Sequence, residues 1–228
     1  MDILTVHYNT PEMMDCMIRS LNKHAKCNIH VFDNSDDDPF VNSFDNVDVI
    51  DNTKGQVINF DEWLKQFPKR RTSIRSNYSS AKHCKSIDVC FDMFPNGFIL
   101  MDSDVLVKQD ISCFWDENAA WVGKPFSEEH DGYTIFRVLP FLCYVNVPML
   151  KKLGVQYFNG DYMWHMIPET PNKWYDTGAW LYKETMDKNI PHRILEIDPY
   201  IDHYAHGSHM FMNESLGEWL MERKDLWK

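Results

Sequence analysis

The segment FILMDSDVLV (98–107) sets two carboxylates, Asp102 and Asp104, between two apolar runs. A carboxylate inside a core is costly unless it has a partner. An ordinary loop would not return at once to Val105, Leu106 and Val107. On a strand, residues i and i+2 point the same way, so both acids could offer oxygens to one hard cation. Mg²⁺ takes one or two carboxylates and completes its shell with phosphate and water, and Mn²⁺ has similar preferences. A strand-end turn with solvated acids is the plain alternative, and the apolar runs on both sides argue against it.

A second group with metal-ligating chemistry is DHYAHGSH (202–209), where His203, His206 and His209 recur every third residue. Neutral imidazole suits Mn-type ions. A hydrolytic zinc site would be expected to show a spacing such as HExxH, which is absent here. The six cysteines are scattered without a CxxC pair and read as reduced core thiols. The basic cluster KRRTSIR (69–75) is either a solvated loop or a local grip on an anion.

These groups need elements to position them. ILTVHY (3–8), NIHVFD (28–33), NVDVID (46–51) and GFILMD (97–102) read as strands. Thr10 and Pro11 open a helix as cap and first residue, and Met13, Met14, Met17, Ile18 and Leu21 give it a core-facing stripe. Phe60 to Phe67 marks a short helix, and Ser79 to Phe94 a longer one, stopped by Pro95-Asn96-Gly97. Strand–helix alternation with near-continuous apolar strands indicates an α/β fold with a mostly parallel, doubly wound sheet. Ligands bind at the carboxyl ends of such strands. Three polar clusters fall there: His7-Tyr8-Asn9, Asp33-Asn34-Ser35 and Asp102-Ser103-Asp104.

The second half differs. AAWVGKP (119–125), FLCYVNV (141–147) and RILEID (193–198) read as strands, and Asp176-Thr177-Gly178 precedes a helix. Trp and Tyr are dense between Tyr157 and Trp180, the composition of a binding wall. No linker divides the 228 residues, so one domain is expected. A net charge of −11 argues against broad nucleic-acid or anionic-membrane binding. No stretch approaches the ~20 apolar residues of a membrane span, and MDILTVHYNT lacks the basic and long apolar regions of a secretory signal. A cytoplasmic protein, at most peripheral to a membrane, is expected.

Four stretches, TVHYNT (5–10), VFDNSDD (31–37), FILMDSD (98–104) and HYAHGS (203–208), resemble in order and spacing the nucleotide-sugar-dependent glycosyltransferases of the GT-A fold, those of family 2 in particular. The resemblance spans about residues 3 to 209. It implies a single Rossmann-like GT-A domain with a mixed acceptor-side half. Residues of about 1–107 would bind the nucleotide, and about 108–228 the acceptor and, through the tail, the metal. It implies metal-dependent hexosyl transfer from a UDP-sugar to a glycan or other hydroxyl acceptor, with inversion. Asp104 would bind Mn²⁺ or Mg²⁺ directly, Asp102 the ribose or the metal, and His203, ahead of His206, would complete the metal set. Asp33 would meet the uracil N–H and Tyr8 would stack on the base, beside His7 and Ser103. Ser80, Lys82 and His83, at the start of the helix before the acids, would contact phosphate or sugar. Asp176 would be the base that takes the acceptor's proton, with Glu169 and Asp161 as weaker choices. A nucleotidyltransferase would need a Gly-rich loop after the first strand, and TVHYNTPE has no glycine. A non-catalytic sugar-nucleotide or glycan-binding module is the remaining alternative.

Overall fold

Strands buried on both faces form the centre of the computed structural model, which describes residues 1–66, 78–130, 133–157, 176–204 and 215–228. The sequence alternates β1 (Asp2–His7), α1 (Pro11–His24), β2 (Asn28–Asp33), β3 (Val47–Asp51), α2 (Phe60–Leu64), α3 (Tyr78–Met93) and β4 (Phe98–Met101). Then follow β5 (Val105–Val107), β6 (Trp121–His130), β7 (Tyr133–Val145), α4 (Val147–Lys152), α5 (Ala179–Asp187), β8 (Arg193–Ile194), β9 (Ile201–His203), α6 (Leu216–Glu222) and α7 (Lys224–Trp227).

Seven strands form one sheet in the order β3-β2-β1-β4-β7-β6-β8. The β3-β2-β1-β4 half is parallel throughout, and β7 alone runs against the rest. Consecutive residues of β1 serve opposite faces. Ile3 joins Met14, Met17, Ile18 and Leu21 of α1, while Leu4 joins Ala81, Cys84, Ile87 and Phe91 of α3. This two-sided burial is why the strands read as apolar runs rather than alternating ones. The methionine stripe is core, as its spacing predicts. All six cysteines are free, and five of them are buried.

Two features place the site. The β6–β7 hairpin overshoots the sheet: Met101 at the end of β4 pairs with Leu142, and β7 begins at Tyr133. Nine residues of strand, at ~3.3 Å each, therefore rise roughly 30 Å past the strand ends. A register shift between Gly123 and Pro125 marks a bulge in this hairpin. The second feature is a small antiparallel sheet, β5 with β9, which pairs Val105 with His203.

Some local expectations change. Thr10 stands at the N-cap of α1, but its side chain makes no capping bond. The strand expected over 193–198 is limited to Arg193–Ile194. Asn146 leaves the 141–147 strand to cap α4, accepting from the Met149 N–H. No helix among the described residues is long and apolar enough to cross a membrane. The basic cluster at 69–75 lies outside the described residues.

Candidate active site at the strand ends

Asp102 and Asp104 do not lie on one continuous strand. They occupy a turn between β4 and β5, so the i, i+2 strand argument does not explain why they face one site. The β5–β9 ladder does. It is extended by a bond from the Tyr204 N–H to the Asp104 carbonyl, 2.8 Å, and brings His203 alongside the turn. His203 Nε2 then stands 3.4 Å from Asp104 Oδ1. Phe141, from the overshooting part of β7, stacks on the His203 ring at 3.7 Å and 21°. Tyr204 packs on Trp219 of α6. One oxygen each from Asp102 and Asp104 and one nitrogen from His203 lie within 4.8 Å of one another.

The electrostatics of this group favour a cation. Asp102 Oδ1 is buried and has no hydrogen-bond partner. Burial, and then the Asp104 charge, push the Asp102 carboxyl up to about 7. Burial opposes protonation of His203, but the hydrogen bond and charge of Asp104 and the charge of Asp102 outweigh it and raise its pKa. Two acids, one of them with a buried oxygen lacking a hydrogen bond, and an imidazole are the donor set of a hard or borderline divalent ion, and their residue types fit Mn²⁺ or Mg²⁺.

His83, on α3, reaches this group from the other side. Its Nε2 is 3.5 Å from Asp102 Oδ1 and its Nδ1 is 3.4 Å from the Thr177 hydroxyl. Burial, the largest influence, lowers its pKa to about 4, so the ring is neutral. Thr177 follows Asp176 in the turn before α5. That turn is seated by Gly178, whose φ is 82° and where a Cβ would come 2.0 Å from the Val138 carbonyl oxygen. Only glycine fits there. A bond of 2.9 Å from the Trp121 indole to Thr185 fixes α5 to the sheet further along.

Asp176 therefore arrives at the site, but not free. Its Oδ2 accepts from Arg137 Nη1 at 2.6 Å and its Oδ1 from the Thr177 N–H at 2.7 Å. Each oxygen holds one donor and keeps a lone pair for another, so the carboxylate is oriented by Arg137 and Thr177 and can still accept from a hydroxyl. A base role for Asp176 presumes an inverting course. Glu169 and Asp161 lie outside the described residues, as do His206 and His209. Arg137 and Phe141 were not apparent from the sequence: each sits in or beside an apolar run without a motif.

The first two polar clusters form a floor rather than a lining. His7 is fully buried, and its Nε2 accepts from the Thr10 N–H at 3.0 Å. The other nitrogen, Nδ1, must then carry the proton and donate to Asp33 Oδ1, also at 3.0 Å. Asp33 is 1% exposed. It further accepts from the Ser35 N–H at 2.9 Å and the Phe40 N–H at 2.8 Å. His7 and Asp33 thus close the loops, and their polar atoms are engaged within the protein. An Asx-turn accounts for the acid better than a uracil contact does. Asn9, with φ of 52°, accepts at 3.1 Å from the N–H groups of Asp36, Asp37 and Asp38 and ties the two loops together. Asn52 and Asn34 extend the network to Ser86 of α3.

Tyr8 stands on this floor, 47% exposed, its hydroxyl donating to Asp36 at 2.6 Å. Lys82 Nζ lies 4.7 Å from the Tyr8 ring centroid and 5.8 Å from that of Phe60. Ser80 and Ser103 are half-buried, in the first turn of α3 and in the acid turn respectively.

No protein-family model matches the sequence. No curated protein sequence matches it. Solved structures do. The galactosyltransferase LgtC, in complex with donor and acceptor sugar analogues, matches with a TM-score of 0.54 at 12% identity, over 99% of this chain and 95% of that one. The fold is GT-A. The glycosyltransferase GlyE of Streptococcus pneumoniae TIGR4 matches with a TM-score of 0.48 at 10% identity, over 87% of this chain and 45% of that one. The PaToxG glycosyltransferase follows at 0.38 and 14%, over 82% and 71%. In this GT-A chain the acids, His203, His83 and Asp176 gather at the end of β4, on the same edge as Tyr8 and Lys82.

Proposed function

We propose that the protein transfers a sugar from a nucleotide-sugar donor, UDP-sugars first, to a hydroxyl of a glycan or similar acceptor. Residues of about 1–107 would bind the nucleotide, and about 108–228 the acceptor. The observation that carries this reading is the convergence of Asp102, Asp104 and His203 on one point, with a buried Asp102 oxygen left unpartnered. These three residues would hold Mn²⁺ or Mg²⁺, which when bound supplies charge to balance a nucleoside diphosphate leaving group. LgtC, which shares the fold, was solved with donor and acceptor sugar analogues, and that supports a sugar as the transferred group.

The chain's own residues divide the remaining work. Tyr8 offers an exposed ring face for a base, and Lys82 beside it a cation for phosphate. The choice of uridine rests on the sequence resemblance, since Asp33 is withdrawn into the floor. In the transfer itself the bond from the anomeric carbon to the diphosphate oxygen breaks, a bond to the acceptor oxygen forms, and the acceptor's proton leaves to a base. The β6–β7 hairpin flanks the site through Phe141 on His203 and Arg137 on Asp176.

The test is release of nucleoside diphosphate from a panel of UDP-, GDP- and ADP-sugars with Mn²⁺ and simple glycan acceptors. Release from a UDP-sugar that stops in EDTA is expected. Tight binding of a UDP-sugar with no release under any condition would favour a binding module instead. No binding of any nucleotide sugar would overturn the proposal.

A further inference from the structure

Arg137 and Asp176 pair at 2.6 Å with side chains only 14% and 15% exposed. Removing two charges from water costs several kcal/mol per ion, so a pair of this kind is weak grounds for stability. Its surroundings suggest a use. His83 links the pair to the acids: its Nδ1 is 3.4 Å from the hydroxyl of Thr177, next to Asp176, and its Nε2 is 3.5 Å from Asp102 Oδ1, which places the pair beside the reacting end of the site. On its other side the guanidinium lies 5.7 Å from the ring centroid of Phe126, an exposed residue of the overshooting hairpin. An anionic acceptor, a planar fork of donors and an exposed aromatic ring thus lie in sequence along one wall.

That combination matches a pyranose. Each sugar hydroxyl both donates and accepts, so adjacent hydroxyls can be met by a carboxylate and a guanidinium, while the apolar face of the ring lies against an aromatic one. We infer that the Arg137–Asp176 pair, with Phe126, grips the transferred sugar of the donor. The pair is neutral overall and suits a neutral hexose. Asp176 is then a sugar-binding group, oriented by Arg137 and by the Thr177 N–H, and the acceptor's proton goes elsewhere. This inference rests on the glycosyl-transfer reading above.

Calorimetry on the full-length protein with Mn²⁺ tests it, using UDP and the UDP-hexose of the panel that binds best. Arg137→Met should leave UDP affinity near the parent's and lower UDP-hexose affinity about tenfold or more, the loss of a charge-assisted contact. Arg137→Lys, which keeps charge but not the fork, should recover part of it. The neutral double variant Arg137→Met/Asp176→Asn leaves no buried charge unpaired, and it should show the same selective loss. Equal losses for UDP and UDP-hexose would assign Arg137 to the diphosphate and overturn the inference. So would unchanged affinity for both. A parent that binds neither ligand would overturn the glycosyl-transfer reading itself.

Discussion

The Asp33 carboxylate shows how one residue can be prominent in the sequence and still serve the frame. Burial alone would raise its pKa, but the His7, Ser35 and Phe40 donors outweigh that and hold it at about 2, against an ordinary 3.8. A depressed carboxyl stabilises the fold fully above the unfolded value, and that stability is lost as pH falls through the folded one. The difference, at about 1.4 kcal/mol for each pH unit, makes about 2 kcal/mol that should disappear between roughly pH 4 and pH 2. Asp33→Asn should flatten the acid limb of a stability-versus-pH curve from chemical denaturation and lower stability at pH 7. A curve identical to the parent's would contradict the loop-closing role. At the metal group, His203→Ala should weaken Mn²⁺-dependent UDP binding by about tenfold or more, while UDP binding in EDTA stays as it was. Unchanged Mn²⁺-dependent binding would remove His203 from the set. Residue types pointed to Asp102 and Asp104 as a candidate site, because carboxylates between apolar runs are costly without a partner. They do not show the burial of His7 and Asp33, because a buried network and an open ligand site use the same polar residues at strand ends.

At the scale of elements, the site depends on two joints that carry no catalytic group. One is the β5–β9 ladder, which delivers His203. The three residues of β9 are too few to show a period, and the strand was invisible until its partner was seen. The other is Gly178, which seats the Asp176–Thr177 turn against β7. Gly178→Ala would need both a left-handed backbone and a Cβ at 2.0 Å from the Val138 oxygen. It should cost several kcal/mol by thermal or chemical denaturation and cut turnover with it. Parent-like stability would contradict the seating described here. The helices were the most legible elements. The α1 and α3 spacings fixed their buried faces, whereas the overshoot of β7 depends on pairing between distant segments that no local pattern records.

For the whole molecule, alternation of strand and helix was enough to give a mostly parallel α/β sheet, and the structure bears this out. The GT-A likeness to LgtC extends over 99% of the chain at 12% identity, so the arrangement of elements is shared where few residues are. Asp102 and Asp104 converge with His203, and a buried Asp102 oxygen has no hydrogen bond to offset its charge. Charge balance at that group is the core of the account, and ligand linkage reads it directly. At 100 times its Kd, UDP should stabilise the fold by about 2.7 kcal/mol, which for a domain of this size raises Tm by roughly 5–10 °C. The decisive measurement is the thermal transition of the full chain with UDP, in Mn²⁺ and in EDTA, for the parent and for Asp104→Asn. The account predicts a rise with UDP in Mn²⁺ for the parent. It predicts no rise in EDTA, and none for Asp104→Asn, whose own Tm without ligand stays near the parent's. An equal rise with and without Mn²⁺, or an undiminished rise in Asp104→Asn, would contradict it.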